Sequence, residues 1–168
     1  MNIKNNKRKR NSIEKIERAF IDMLQTKEIN FISVTDICKV TGLNRSTFYA
    51  NFIDVYDLAD KLRKKLEKDF TMQFEDIVNR DAQTMFRHIY NNQIFYKTYF
   101  KLGYDERHPA YIYDTLRAEN DFKGKHIKYH IEFFRNGLNS IIKMWLAGGC
   151  IETPEEMAEI LISEYRGR

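Results

Sequence analysis

The chain has 168 residues, 43% apolar and 31% charged, which bounds it to one domain or two small units and excludes a disordered polymer. Glycine (7) and proline (2) are scarce while Phe (12) and Tyr (10) are abundant, a balance that favours aromatic-packed helices over an enzyme built on glycine loops. Ten of the 28 basic residues but only 5 of the 24 acidic ones lie in residues 1–53, so the net charge of +4 sits in the first third, as in a polyanion-binding module or a solubilising tail.

Residues 1–11 hold Lys4, Lys7, Arg8, Lys9 and Arg10 without an acid and read as a basic arm. Ser12 then starts a helix with an apolar stripe at Ile13, Ile16, Phe20, Met23 and Leu24. Ser33 and Asp36 have the spacing of a capping box, and a short helix follows through Val40, with Val34 and Ile37 inward. Gly42 ends it where φ must be positive. Asn44 is placed to cap a helix from Arg45 to about Phe52. Asp54 caps a long helix to about Val78, with Leu58, Leu62, Leu66 and Phe70 on one face.

The second half continues in helices. Asp81 opens one through about Asn91, and another runs to Gly103. Tyr104 to Pro109 is a loop and Ala110 to Asn120 a helix. Lys125 to Ala147 is a long helix with Ile127, Ile131, Phe134, Leu138, Ile141 and Trp145 at alternating steps of four and three, a heptad-like seam. Gly148 and Gly149 end it. Thr153, Pro154 and Glu156 supply cap, first-turn proline and third-position glutamate for the last helix. The fold class is therefore all-α, with about nine helices. Three regions are expected: the arm (1–11), a helix-turn-helix domain (12–53) and an effector-binding and dimerisation domain (54–168).

Two short helices joined by a glycine turn make a helix-turn-helix. Cys38 is small where the helices approach, and Val34, Ile37, Leu43 and Phe48 form the miniature core. That leaves Arg45, Ser46, Tyr49 and Ala50 outward on the second helix. The first residues of such a helix reach base edges in the major groove, where arginine to guanine is the commonest specific contact. Thr47 and Tyr49 carry hydroxyls suited to phosphate.

The segment Ile32-Ser-Val-Thr-Asp-Ile-Cys-Lys-Val-Thr-Gly-Leu-Asn-Arg-Ser-Thr-Phe-Tyr-Ala-Asn-Phe52 resembles the DNA-binding signature of the TetR/AcrR family of transcriptional regulators. Phe133-Phe-Arg-Asn-Gly-Leu138 and Lys143-Met-Trp-Leu-Ala-Gly-Gly-Cys-Ile-Glu-Thr-Pro-Glu-Glu156 are similar to the C-terminal domain of the subgroup regulating dihydroxyacetone kinase operons. The resemblance implies a homodimer on double-stranded DNA with a near-palindromic operator. The last two long helices of each subunit would build a four-helix bundle. It also implies a C-terminal body that answers to a small-molecule or protein effector.

Carried over residue by residue, Arg45, Ser46 and Ala50 take base-reading positions, with Thr35 reaching from the preceding helix. Ser33, Thr47 and Tyr49 take phosphate positions, and Asn44 and Asn51 flank the set. Where the family usually has a phosphate-contacting lysine at the start of the next helix, this chain has Val55. The basic segment from Lys4 to Arg10 offers a substitute, in the adjacent minor groove as homeodomain arms do.

Residues 86–145 contain 14 aromatics. Tyr90, Tyr96, Tyr99, Phe100, Tyr113 and Phe134 are candidates for an effector pocket, against the plainer reading of a packed core. The seam from Ile127 to Trp145 is the candidate dimer interface, against the alternative of an intrachain core, because a heptad stripe beside a capped final helix fits a dimer bundle better. His126 and His130, one turn apart, have no third ligand, and no metal or cofactor is expected. No phosphate loop, dinucleotide glycine pattern or nucleophile–base pair is present, so no catalysis is expected. With two cysteines, no secretory pattern and no apolar run of ~18 residues, the expected setting is the cytoplasm, away from membranes. The function expected is a dimeric, effector-controlled DNA-binding regulator, a repressor; the alternative is an architectural DNA binder without an effector.

Overall fold

The computed structural model describes residues 3–78, 81–103 and 125–166. Among these residues the chain forms helices and no strand: α1 (Ile3–Leu24), a 3-10 turn (Ile29–Phe31), α2 (Val34–Thr41), α3 (Arg45–Tyr49), α4 (Val55–Val78), α5 (Ala82–Asn91), α6 (Gln93–Lys101), α7 (Ile127–Ala147) and α8 (Pro154–Arg166). The all-α reading therefore holds. The loop and helix expected over 104–120, with Tyr113, lie outside the described residues. None of the described helices is long and apolar enough to cross a membrane.

The chain divides into two compact units, Met1–Lys68 and Asp69–Arg168. α4 runs across the division between them. Its first half belongs to the N-terminal unit because Val55, Leu58, Ala59, Leu62 and Leu66 are buried there. In that unit α1 packs on α2 and α2 on α3. Ile16, Phe20 and Leu24 of α1, spaced by four along one helical face, are buried together with Ile37, Phe48 and Leu58. Glu17 of α1 and Lys65 of α4 form an ion pair of 2.7 Å.

α1 begins at Ile3, not at Ser12. Ser12 is no cap, since its hydroxyl donates to the Arg8 carbonyl one turn back, at 3.1 Å. Nothing between Ile3 and Ser12 breaks a helix, and Arg10 pairs with Glu14 four residues on at 3.5 Å. The described part of the basic arm is thus two turns of helix.

In the C-terminal unit α5 packs against α8, and α6 against α7. Asp81 caps α5 by accepting the Thr84 amide at 2.7 Å. Trp145 is buried, with the Phe86 ring edge-on at 5.6 Å. Its indole N–H donates to the Glu152 carbonyl at 3.0 Å and fastens the α7–α8 turn. Thr153 and Glu156 close the expected capping box on α8: the Thr153 hydroxyl accepts the Glu156 amide at 3.2 Å, and the Glu156 carboxylate accepts the Thr153 amide at 2.7 Å.

Glu155, in the first turn of α8, binds α5 through Arg87 and through Gln83, the latter at 2.8 Å. The Arg87 guanidinium, then Gln83, hold its carboxyl down from 4.5 to about 2. A carboxyl depressed on folding contributes stability that is fully present above its unfolded value and is lost as pH falls through its folded one. The C-terminal unit is therefore expected to lose thermal stability between about pH 4.5 and about pH 2. In Arg87→Gln this dependence flattens. Melting curves across that range, read for both proteins, check it, and parallel profiles would exclude the clasp.

Candidate nucleic-acid interface

The α2–α3 pair is built from local rules. Ser33 Oγ accepts the Asp36 amide at 3.1 Å, and Asp36 Oδ2 accepts the Ser33 amide at 3.1 Å and its hydroxyl at 2.6 Å. The bonds from the Ser33 hydroxyl and amide hold the Asp36 carboxyl below its usual range. Ser33 is exposed, but its hydroxyl proton is already engaged. Gly42 then adopts φ +68°. A Cβ there would meet nothing within 4 Å, so the requirement for glycine is the left-handed backbone itself. Thr41 closes the turn, donating to the Ile37 carbonyl at 2.8 Å.

α3 is shorter than expected, Arg45–Tyr49. Asn44 stands at the cap position in an extended conformation, yet its side chain makes no capping bond. Its carbonyl accepts the Thr47 amide at 2.9 Å. Beyond Tyr49 the helix tightens into a turn, with the Asn51 amide bonded to the Phe48 carbonyl at 2.9 Å. Phe48 is fully buried and stacks obliquely against Phe52, with ring centroids 5.5 Å apart.

That anchoring leaves Arg45, Ser46, Tyr49 and Ala50 exposed, Tyr49 by 57%. Arg45 Nη2 donates to Thr35 Oγ1 at 2.7 Å. The structure thus joins two expected base-reading residues, and α2 positions the guanidinium carried by α3. Thr47 and Asn51 are half-buried. The Asn51 side-chain amide donates to the Thr47 carbonyl at 2.8 Å, so Asn51 shapes the end of α3.

Two residues were not expected. Lys61 of α4 donates to the Asn51 carbonyl at 3.0 Å and to Asp57 Oδ2 at 2.8 Å, with its ammonium 5.2 Å from the Phe52 ring centroid. Asp57 Oδ2 also accepts the Ile53 amide at 2.9 Å. These bonds, Lys61 first, hold Asp57 below the usual carboxylate range. The pair clasps the α3–α4 connector. Its signal in the sequence is the four-residue Asp–Lys spacing, but the backbone target ten residues earlier is visible only in the fold. Val55 is buried at the start of α4, 7% exposed, so core packing occupies the position where the resemblance places lysine.

In the C-terminal unit Tyr96, Tyr99 and Phe134 are buried, Phe100 is half-buried and Tyr90 is partly exposed. Phe95 lies parallel to Tyr99 at 6.2 Å, and Tyr90 leans on Trp145 at 6.1 Å. Burial pushes the Tyr96 hydroxyl far above its usual value and His88, edge-on to that ring at 5.9 Å, below its own. Of the pocket candidates, three therefore pack in the interior.

Burial divides the candidate dimer seam. Phe134, Leu138 and Trp145 are buried in the protomer's own core, and Ile127, Ile131 and Ile141 are half-buried. The buried half of the seam fills that core. The outward apolar residues of α7 are Tyr129, Phe133 and Met144, 63%, 69% and 71% exposed. Tyr129 and Phe133 line a shallow groove with Glu132, Asn136, Gly137 and Ser140. Among the described residues no group of three or more His, Cys, Asp or Glu side chains is placed to hold a metal ion.

Residues 78–164 match a family model described as "Transcriptional regulator C-terminal region", TetR_C_8. Among solved structures, the chain resembles one titled "Dihydroxyacetone kinase operon activator DhaS", with a TM-score of 0.51 and 19% identity over 92% of this chain and 96% of that one. At that identity the likeness concerns the fold. No curated protein is significantly similar in sequence. The family match spans more than half of the chain, and the helices agree with it in kind: the chain belongs to the TetR family of transcriptional regulators.

Proposed function

We propose that the protein is a homodimeric, sequence-specific DNA-binding regulator whose affinity is set by a ligand or protein partner at the C-terminal unit. The observation that carries this reading is the exposed Arg45 guanidinium held by Thr35 at the start of α3. A preset arginine there suits the paired acceptors of a guanine edge in the major groove. Ser46 and Ala50 share its exposed surface, and Tyr49 supplies a hydroxyl for phosphate. Two such heads would occupy successive major grooves of a near-palindrome, ~34–36 Å apart.

Dimerisation is assigned to the exposed α7 face of Tyr129, Phe133 and Met144. A stable interface of this kind buries more than ~1,000 Å². Control follows from the differential affinity of an effector for two states of the dimer. Repression is the expected sign, through occupation of promoter DNA. The resembling structure's title names an activator, and a reporter carrying the selected site decides the sign.

The test is binding by fluorescence anisotropy. The probes are a duplex selected from a random pool by this protein and the same duplex shuffled. Preference for the selected duplex should reach ~10³-fold or more. Arg45→Ala should cost about 1–3 kcal/mol on the selected duplex and little on the shuffled one. Equal binding of wild type to both would replace this reading with the architectural one.

A further inference from the structure

Because α1 starts at Ile3, its first turns stand beside α3. A shallow cleft there is lined by Arg8, Lys9 and Ser12 of α1 and by Ser46, Thr47 and Asn51 at and after α3. No carboxylate lines it. Among the described residues Arg8 and Lys9 are exposed and have no acidic partner, whereas their neighbour Arg10 is drawn to Glu14. The Ser46 and Thr47 hydroxyls carry no hydrogen bond within the described structure. Two cations and two free hydroxyls converging on a cleft without acids are complementary to a phosphate diester, which accepts from all four.

We infer that this cleft holds a backbone phosphate of duplex DNA, gripped between Arg8 and Lys9 of α1 and Ser46 and Thr47 of α3. The inference rests on the DNA-binding reading above. The duplex is the source of the phosphate because Ser46 belongs both to this cleft and to the face proposed for the major groove. A strand bordering that groove would pass the cleft continuously. α1 thereby supplies the cations that the start of α4 lacks, where Val55 is buried. The grip works as one wall of helix on another, without an extended arm in the minor groove.

The experiment compares wild type with the double variant Arg8→Gln, Lys9→Gln on the selected and shuffled 30-base-pair duplexes, from 50 to 200 mM salt. For every phosphate no longer neutralised, the slope of log affinity against log salt should become shallower by about 0.9. The fall in affinity across that range then becomes about 3-fold smaller per phosphate. The change should be the same for both duplexes, so the preference between them is kept. Far-UV circular dichroism must show an intact α1; Arg8→Lys, which keeps the charge, should restore most of the slope when paired with wild-type Lys9. An unchanged slope in a folded double variant overturns the inference and leaves the DNA-binding reading standing. Loss of preference with unchanged slope also overturns it, since the two residues would then read bases. Failure of the wild type to bind either duplex overturns both.

Discussion

Phe133→Asp is expected to convert the proposed dimer into a folded monomer. Phe133 is 69% exposed on α7 and flanked along the helix by Tyr129 and Met144, also exposed. Burying one such side chain stabilises an interface by about 1.5–3 kcal/mol. An uncompensated carboxylate in its place adds a desolvation penalty of several kcal/mol. A twofold interface carries each substitution twice. The sum exceeds ~5 kcal/mol, or ~10³-fold to 10⁴-fold in the dimer dissociation constant. Light scattering behind size exclusion at micromolar protein reads the mass directly, with circular dichroism to confirm helix content. Leu138→Asp is the contrasting variant: Leu138 is fully buried in the protomer, so that change should unfold the C-terminal unit. A Phe133→Asp protein that stays dimeric would remove α7's exposed face from the interface.

This contrast also shows how far α7 can be read from its sequence. Both the inward stripe, Phe134, Leu138 and Trp145, and the outward set, Tyr129, Phe133 and Met144, recur at helical steps of four, seven or eleven residues. Periodicity establishes that a stripe must be covered, but not whether the cover is the same chain or another. That answer depends on contacts distant in sequence, such as α6 against α7 and the Phe86 ring of α5 against Trp145. Local chemistry was more legible. The capping boxes at Ser33 and Thr153 and the turn at Gly42 are specified within four residues, and all three form. Ser12 shows the limit of that logic. A serine before an apolar stripe has the form of a cap, yet its hydroxyl bonds to Arg8 and the helix runs through it. At the surface proposed to face DNA, Arg45 and Tyr49 were legible as outward residues of α3. The bonds Arg45–Thr35 and Lys61–Asn51 were not, because each joins groups ten residues apart on different elements.

Phe48→Ala is expected to have the largest effect on the N-terminal unit. α3 has five residues, far below the ~12–15 at which an isolated helix becomes even marginal. Its cap residue makes no side-chain bond, so tertiary packing must hold it in place. Phe48 is its one buried residue, sitting edge-on to Tyr49 at 5.6 Å and against Phe52 at 5.5 Å. Truncating a buried phenylalanine costs about 3–5 kcal/mol, a large share of the ~5–15 kcal/mol that holds a domain together. For a unit of this size the melting temperature should fall by at least ~12 °C. Sequence-specific DNA binding should fail with it, because Arg45 and Tyr49 lose the backbone that aims them. Phe48→Leu keeps most of the volume and should cost less than ~1.5 kcal/mol. Thermal melts of the two variants, with amide hydrogen exchange across residues 44–52, separate the cases. α3 amides should exchange far faster in Phe48→Ala than in Phe48→Leu. If protection and melting temperature match between them, α3 is held mainly by the Lys61–Asn51 and Arg45–Thr35 bonds that flank it, and the buried ring is only a passenger.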